Sequence, residues 1–263
     1  MGLRTLWLGL LLLALRALPA QVTDFFVDPA GKAYYLLEDA RLVTPNPLGE
    51  NTYSWYDSSL GAPDYVDVTN PFQILVYYRE YGTVVVLDRT LSELDRVDLF
   101  ANELIQQPGA IARSYADGMW VFDNWNYRLL RLDGAGEIDQ QTNDLRLQLG
   151  LAAPADALFV DRNAVALYFA ADHRLAVFTN YGKFQHWVDV PAGVRLSWRA
   201  PRLLAIGDTE HWMWTPRERT LLPLGPVPAE LTVTPRVIAD ADGYLTAEPA
   251  TLTIVRRGYP EKN

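Results

Sequence analysis

The chain of 263 residues contains no cysteine. That excludes disulfides, thiolate metal sites and a lipid-modified cysteine at a mature N-terminus. Histidine occurs only as His173, His186 and His211, none with a second histidine or a cysteine at ligand spacing, so no zinc site is expected. Basic residues are in deficit. The 23 Lys and Arg stand against 32 Asp and Glu, a net charge of −9 with a pI of about 4.8. Such a chain is poorly suited to phosphate backbones and anionic membrane surfaces, and no nucleic-acid partner is expected. There is no Gly-x-Ser-x-Gly nucleophile turn and no phosphate-cradling glycine loop. After residue 20 no apolar run approaches the roughly 20 residues a spanning helix needs. No Asn-x-Ser/Thr sequon occurs either, and with the missing cysteines this favours a bacterial periplasmic or secreted protein over a eukaryotic extracellular one.

Residues 1–20 have the form of a cleaved leader. Arg4 supplies a positive start, Leu6–Leu15 an apolar core, and Ala17-Leu-Pro-Ala20 a small-residue cleavage site that leaves Gln21 at the new N-terminus. The rival reading, an uncleaved anchor, is disfavoured because the apolar run is only about ten residues long. The expectation is a periplasmic or secreted protein, monomeric, with residues 21–263 forming one domain.

That domain is repetitive. Short apolar or aromatic strands recur at Ala33–Leu37, Ile74–Tyr78, Met119–Asp123, Val165–Phe169, Leu203–Gly207 and Tyr244–Ala247, about 38 to 46 residues apart. Each is followed by a polar turn and another strand: Arg41–Thr44, Thr83–Asp88, Arg128–Asp133, Arg174–Thr179, His211–Thr215 and Thr251–Arg256. Prolines at 63, 108, 154, 191 and 235 announce the strand that opens a repeat. Leu91–Ile105 and Leu145–Leu151 are the best helical candidates, and their place between repeats reads as strand plus loop. A unit of this kind cannot bury its own faces and must stack on copies of itself. The predicted fold is all-β, a six-bladed β-propeller. The tryptophans at 55, 120, 187, 198, 212 and 214 would fill the wedges between blades. Closure of the ring stays open at this level. The last blade has three strands, or Val22–Asp28 is shared differently, or five blades accompany an irregular segment around Val194–Leu224.

The third repeat carries a resemblance. Gly118-Met-Trp-Val-Phe-Asp123, Asn126-Tyr-Arg128 and Leu129-Leu-Arg-Leu-Asp133 with Gly136 resemble the NHL repeat: glycine, aromatic strand, Asp, Asn-x-Arg, then an apolar strand ending in Asp and Gly. Val160–Phe184 is a degraded copy with Asp172-His-Arg174 in place of Asn-x-Arg, and Val68–Leu91 keeps only the strands. Propellers of the TolB-like group share the layout. The resemblance implies a rigid ring with a loop-rich face around a central channel.

On that face the turns between second and third strands gather Arg79, Tyr81, Trp125, Asn126, His173 and Glu210, a mixture of aromatic and polar groups that suits recognition. Trp125 stands out, because a tryptophan in a polar turn is not readily assigned to a core; folding back onto Tyr81 is the bland alternative. No catalytic set, metal site or cofactor is expected. Three readings follow. The first is an exported binding or scaffolding propeller that takes a protein or small ligand at the loop-rich face. The second is an envelope assembly component that acts only within a complex. The third, implied by lactonases among six-bladed relatives, is a metal-dependent hydrolase using carboxylates from Asp67, Asp117, Asp161 or Asp240. A triad of Ser114 or Ser197 with His211 is conceivable in space only. At the ends of first strands, Asp28, Asp67, Asp117, Asp161 and Asp242 read as turn residues.

Overall fold

The computed structural model describes residues 21–46, 52–115, 117–232, 236–248 and 252–259. The leader expected at 1–20 and the proline at 235 lie outside them. The described residues form six antiparallel sheets. The first comprises β1 (Val22–Val27), β2 (Ala33–Leu37), β3 (Leu42–Pro45) and β4 (Thr52–Trp55). The second comprises β5 (Tyr65–Asp67), β6 (Ile74–Tyr78), β7 (Thr83–Leu87) and β8 (Glu93–Asp98). The third comprises β9 (Pro108–Ser114), β10 (Gly118–Asp123), β11 (Arg128–Leu132) and β12 (Ile138–Gln141). The fourth comprises β13 (Ala157–Asp161), β14 (Ala164–Phe169), β15 (Arg174–Thr179) and β16 (Phe184–Asp189). The fifth comprises β17 (Arg195–Arg199), β18 (Arg202–Ile206), β19 (Glu210–Trp214) and β20 (Leu222–Pro226). The sixth has three strands: β21 (Ile238–Ala239), β22 (Gly243–Glu248) and β23 (Thr253–Gly258).

Each sheet runs in chain order from the channel outward. The second strands are sandwiched on both faces, which is why they read as continuous apolar runs instead of alternating ones. Every residue of β6 and of β10 is buried. Six hydrophobic clusters fill six wedges, one between each pair of neighbouring blades. Trp120 and Trp214 are wholly enclosed in them, while Trp55, Trp187 and Trp198 pack against cluster edges.

Ring closure is thereby settled. β1 is the inner strand of the first blade, and Phe25, Tyr35 and Val43 pack directly on Ile238, Leu245 and Ile254 of the sixth. Arg199 reinforces the joint. Its guanidinium donates to the Asp240 carboxylate (2.7 Å) and to the Val27 and Asp28 carbonyls (3.3 and 3.1 Å), so one side chain of the fifth blade holds the sixth and the first.

Two local expectations are corrected. Leu145–Leu149 is a short helix, α1, started by the Asp144 carboxylate on the Arg146 N–H and stopped by left-handed Gly150. The last third strand begins at Thr253, two residues later than its sequence pattern suggested. Leu91–Ile105 is strand plus loop as expected, β8 followed by a single 3-10 turn at Leu99–Ala101.

Candidate functional site

Two surfaces compete: the loop-rich face and the channel. Five of the six turns of the face contain or end at a left-handed residue. The Ala40, Gly82 and His173 N–H groups each donate to the carbonyl three residues back, and Ala40, Gly82, Tyr127, His173 and Leu252 all take positive φ. A tight turn ending in a left-handed residue lets the third strand return beside the second with the right twist. Neighbouring carboxylates fasten two of these turns to the strand entries. Asp64 accepts from the Arg79 N–H (2.8 Å) and Asp156 from the Ala170 N–H (2.7 Å).

In the third blade this fastening is most developed. Asp123 is fully buried and accepts four hydrogen bonds: Gln106 N–H (3.2 Å), Gln107 N–H (2.6 Å), Asn126 N–H (3.1 Å) and Asn126 Nδ2 (2.7 Å). It therefore ties the incoming loop to the turn that bears Trp125. The Asn124 N–H to Gln107 carbonyl bond (2.8 Å) doubles the tie, and the Leu145 N–H to Tyr127 carbonyl bond (2.9 Å) fixes α1 to the same turn. Arg146 stacks on the Tyr127 ring at 4.4 Å. On the second blade the Phe100 ring lies over Gly82, where any side chain would collide with it at 2.5 Å.

These braced loops carry exposed apolar groups. Trp125 is 63% accessible and Tyr81 45%, so Trp125 is not folded into the core, and no ring contact joins the two among the described residues. Tyr56, Phe100, Leu104 and Leu147 extend the arc over the first to fourth blades, and all four are exposed. Arg79, His173 and Glu210 are exposed on their turns as well. The structure brings Arg79 and Tyr81 onto one turn and Trp125 and Asn126 onto the next. His173 stands on the fourth blade and Glu210 on the fifth. Asn126 proves to be a brace, its amide spent on Asp123. Sequence reasoning missed Phe100, Leu104 and Leu147. Their signal was a bulky apolar residue flanked by polar ones in a blade-joining segment.

The channel holds a cavity of about 640 Å³ walled by Phe26, Tyr65, Phe159, Tyr168, Trp198 and Ile238. Arg199 and Asp240 line it, and Arg236, ion-paired with Asp24 at 2.5 Å, stacks over Phe26 at 4.8 Å. Burial holds the Tyr65 hydroxyl well above the usual phenol range, so it remains a hydrogen-bond donor. None of the six turn residues singled out in the sequence lines this cavity.

Three of the four carboxylates considered for catalysis, and His211, are engaged elsewhere. The Asp67 carboxylate accepts from the Thr69 and Arg113 N–H groups (both 2.8 Å), exposed Asp117 pairs with the buried Arg113 (3.2 Å), and Asp240 lies between Arg199 and Arg256 (both 2.7 Å). Among the described residues no three His, Asp or Glu side chains are grouped as a metal site would require. His211 is buried within β19, not at a turn. Its Nδ1 faces the Gly225 carbonyl (2.8 Å) and its Nε2 the Tyr244 hydroxyl, so neither nitrogen is open to Ser114 or Ser197.

The NHL-like residues of the third blade have structural roles. A side chain at Gly118 would meet the Leu132 carbonyl at 2.1 Å, Asp123 gathers four donors, and Asp133 caps the turn of Gly136 through the Ala135 and Glu137 N–H groups.

No protein-family model matches the sequence, and no curated relative matches it. Solved structures with the same architecture do. The chain is similar to a streptogramin B lyase structure at 12% identity and a TM-score of 0.61, over 94% of this chain and 86% of that one. It is similar to a chain of a mitotic checkpoint complex structure at 14% identity and a TM-score of 0.57, over 90% and 74%. It is also similar to the Pan2 WD40 domain of Neurospora crassa at 8% identity and a TM-score of 0.55, over 91% and 80%. At such identities the likeness is one of fold, and the fold is the β-propeller.

Proposed function

We propose that this chain is a non-catalytic binding propeller of the NHL-repeat or TolB-like type, exported after removal of residues 1–20, that captures a protein partner on its loop-rich face. One observation carries the reading: an exposed tryptophan on a turn locked by a buried carboxylate with four donors. A large aromatic carried on a braced turn costs little backbone ordering on binding, which suits an interface hot spot. The apolar arc around it supplies the surrounding area. The engagement of His211, Asp67 and Asp240 within the framework favours binding over hydrolysis.

The test separates stability from capture. Trp125→Ala should leave stability within about 1 kcal/mol, because the side chain is exposed. It should weaken partner capture about tenfold or more, measured by quantitative crosslinking and pull-down against wild type. Tyr181→Ala, an exposed aromatic on a third-to-fourth strand turn of the opposite face, is the control. Equal loss with both variants, or none with Trp125→Ala, would move the site elsewhere.

The channel supports a second reading, a small ligand. Its volume and aromatic walls fit the usual dimensions of such sites. Ligand-induced stabilisation abolished by Trp198→Ala and untouched by Trp125→Ala would favour it over the loop-rich face.

A further inference from the structure

Among the described residues five blades end in a fourth strand and the sixth does not, so β23 is the outer edge of that sheet. One side of β23 pairs with β22 along its whole length, from Gly243 opposite Gly258 to Glu248 opposite Thr253. The other side of Ile254–Gly258 has no strand beside it among the described residues. The consequence is visible in burial. Every other third strand has at least two buried residues, whereas β23 has none. A strand edge left open in this way is a template for pairing with an added strand.

The filled blades show what such a strand must carry. Each fourth strand sends at least one bulky apolar side chain into a wedge: Tyr53 and Trp55, Val97, Ile138, Phe184 and Trp187, or Leu224. In the sixth blade Ile254 already packs toward the first blade, so apolar residues at alternate positions of an added strand would continue that wedge. Charge supplies the second requirement. β23 contains Arg256 and Arg257 and no acidic residue. Asp240 is shared between Arg199 and Arg256, and no acidic partner faces Arg257 among the described residues. In the third blade the matching need is met from the fourth strand. Arg131 of β11 holds Asp139 of β12 through two bonds of 2.8 and 2.6 Å.

We propose that the open edge at Ile254–Gly258 receives an extended segment of a partner protein, with alternating apolar and acidic residues, as the fourth strand of the sixth blade. The site is separate from the loop-rich face and stands whether or not that face binds. Backbone pairing with β23 supplies affinity, and Arg257, on the face opposite Ile254, favours an acidic strand over a basic one.

The probe is a synthetic nonapeptide of alternating valine and glutamate, offered to the full chain. Controls are the valine–lysine counterpart and a version with proline at the central positions. Binding is read by fluorescence anisotropy and its place by amide hydrogen exchange. The acidic peptide should bind and slow exchange within residues 254–258, and both control peptides should bind at least about tenfold more weakly. Arg257→Glu should weaken the acidic peptide about tenfold and rescue the lysine peptide, while leaving the melting temperature unchanged. If that variant does not fold, loss of acidic-peptide binding between low and 1 M salt reads the same charge dependence in the unmodified protein. Equal binding of all peptides, or binding that leaves the 254–258 amides exchanging freely, overturns the proposal. So does an edge already protected in the full chain, whether crosslinks assign the protection to residues 1–20 or dilution assigns it to a second copy.

Discussion

Replacing Asp123 with alanine withdraws one acceptor from four donors, the Gln106, Gln107 and Asn126 N–H groups and the Asn126 amide. Hydrogen bonds to a charged group contribute about 1.5–3 kcal/mol each, so a simple sum runs from about 6 to 12. That sum is too high. The donors lie in rim loops, and water can enter the space left by the carboxylate and satisfy part of the set. Single substitutions above about 4–5 kcal/mol are exceptional. We expect about 3 kcal/mol, which for a domain of this size lowers Tm by about 6–12 °C. Asp123→Asn keeps one acceptor and turns a donor toward Asn126, and should cost about half as much. The assay is thermal unfolding joined to hydrogen exchange. Exchange should accelerate in residues 99–107 and 124–127 together, because one carboxylate joins them, and should remain native in the fifth blade. A loss below about 1 kcal/mol, or acceleration in only one of the two segments, would refute the bracing argument and with it the claim that the turn bearing Trp125 is held rigid.

Trp120→Ala, which empties a wholly buried site between the third and fourth blades, should cost about 3–5 kcal/mol in denaturant unfolding; an unchanged midpoint would mean the strand register is wrong. Gly118→Ala should cost about 1–3 kcal/mol, since its new methyl group meets a backbone carbonyl that cannot swing aside. His211 should make the protein acid-sensitive. Burial between the fifth and sixth blades lowers its pKa below 6.5, so the unfolded chain binds the proton more readily, and stability contributed by neutral His211 is present above that value and lost as pH falls through it. The loss can reach about 1.4 kcal/mol per pH unit. The difference in stability between wild type and His211→Gln should shrink from pH 7.5 to 5.5, and a constant difference would refute the assignment.

The propeller was legible because of where its strands lie. A second strand packed on both faces must be apolar along its middle, as Ile74–Tyr78 and Met119–Phe122 are, and such runs separated by polar turns are visible without alignment. Turn positions were legible for the same reason. α1 escaped because five residues cannot display a helical period, although Asp144 and Gly150 marked both of its ends. The candidate site was legible in part. Trp125 and Tyr81 announced themselves as aromatics in polar turns, whereas Phe100, Leu104 and Leu147 become one surface with them only once the loops converge. Asn126 misled, since an amide in a turn gives no sign of whether it faces solvent or a buried carboxylate. Arg199 could not have been found. Its three partners lie about 40 and 170 residues away, and nothing local distinguishes it from a surface arginine.

The same placement bears on how the ring holds. A shared strand would close the ring with backbone hydrogen bonds, but here the joint rests on side-chain packing and Arg199. Among the described residues the sixth blade is also the thinnest, with a two-residue inner strand and no strand beside Ile254–Gly258. Local opening begins where pairing is thinnest, so this blade and its two joints form the weak sector of the molecule. His211 and Tyr244 sit in one joint, and Arg199 spans both. A strand added at β23 would therefore act on closure as well as on binding. At 100 times its Kd, such a segment stabilises the folded ring by about 2.7 kcal/mol, a gain that appears first as slower exchange in the sixth blade.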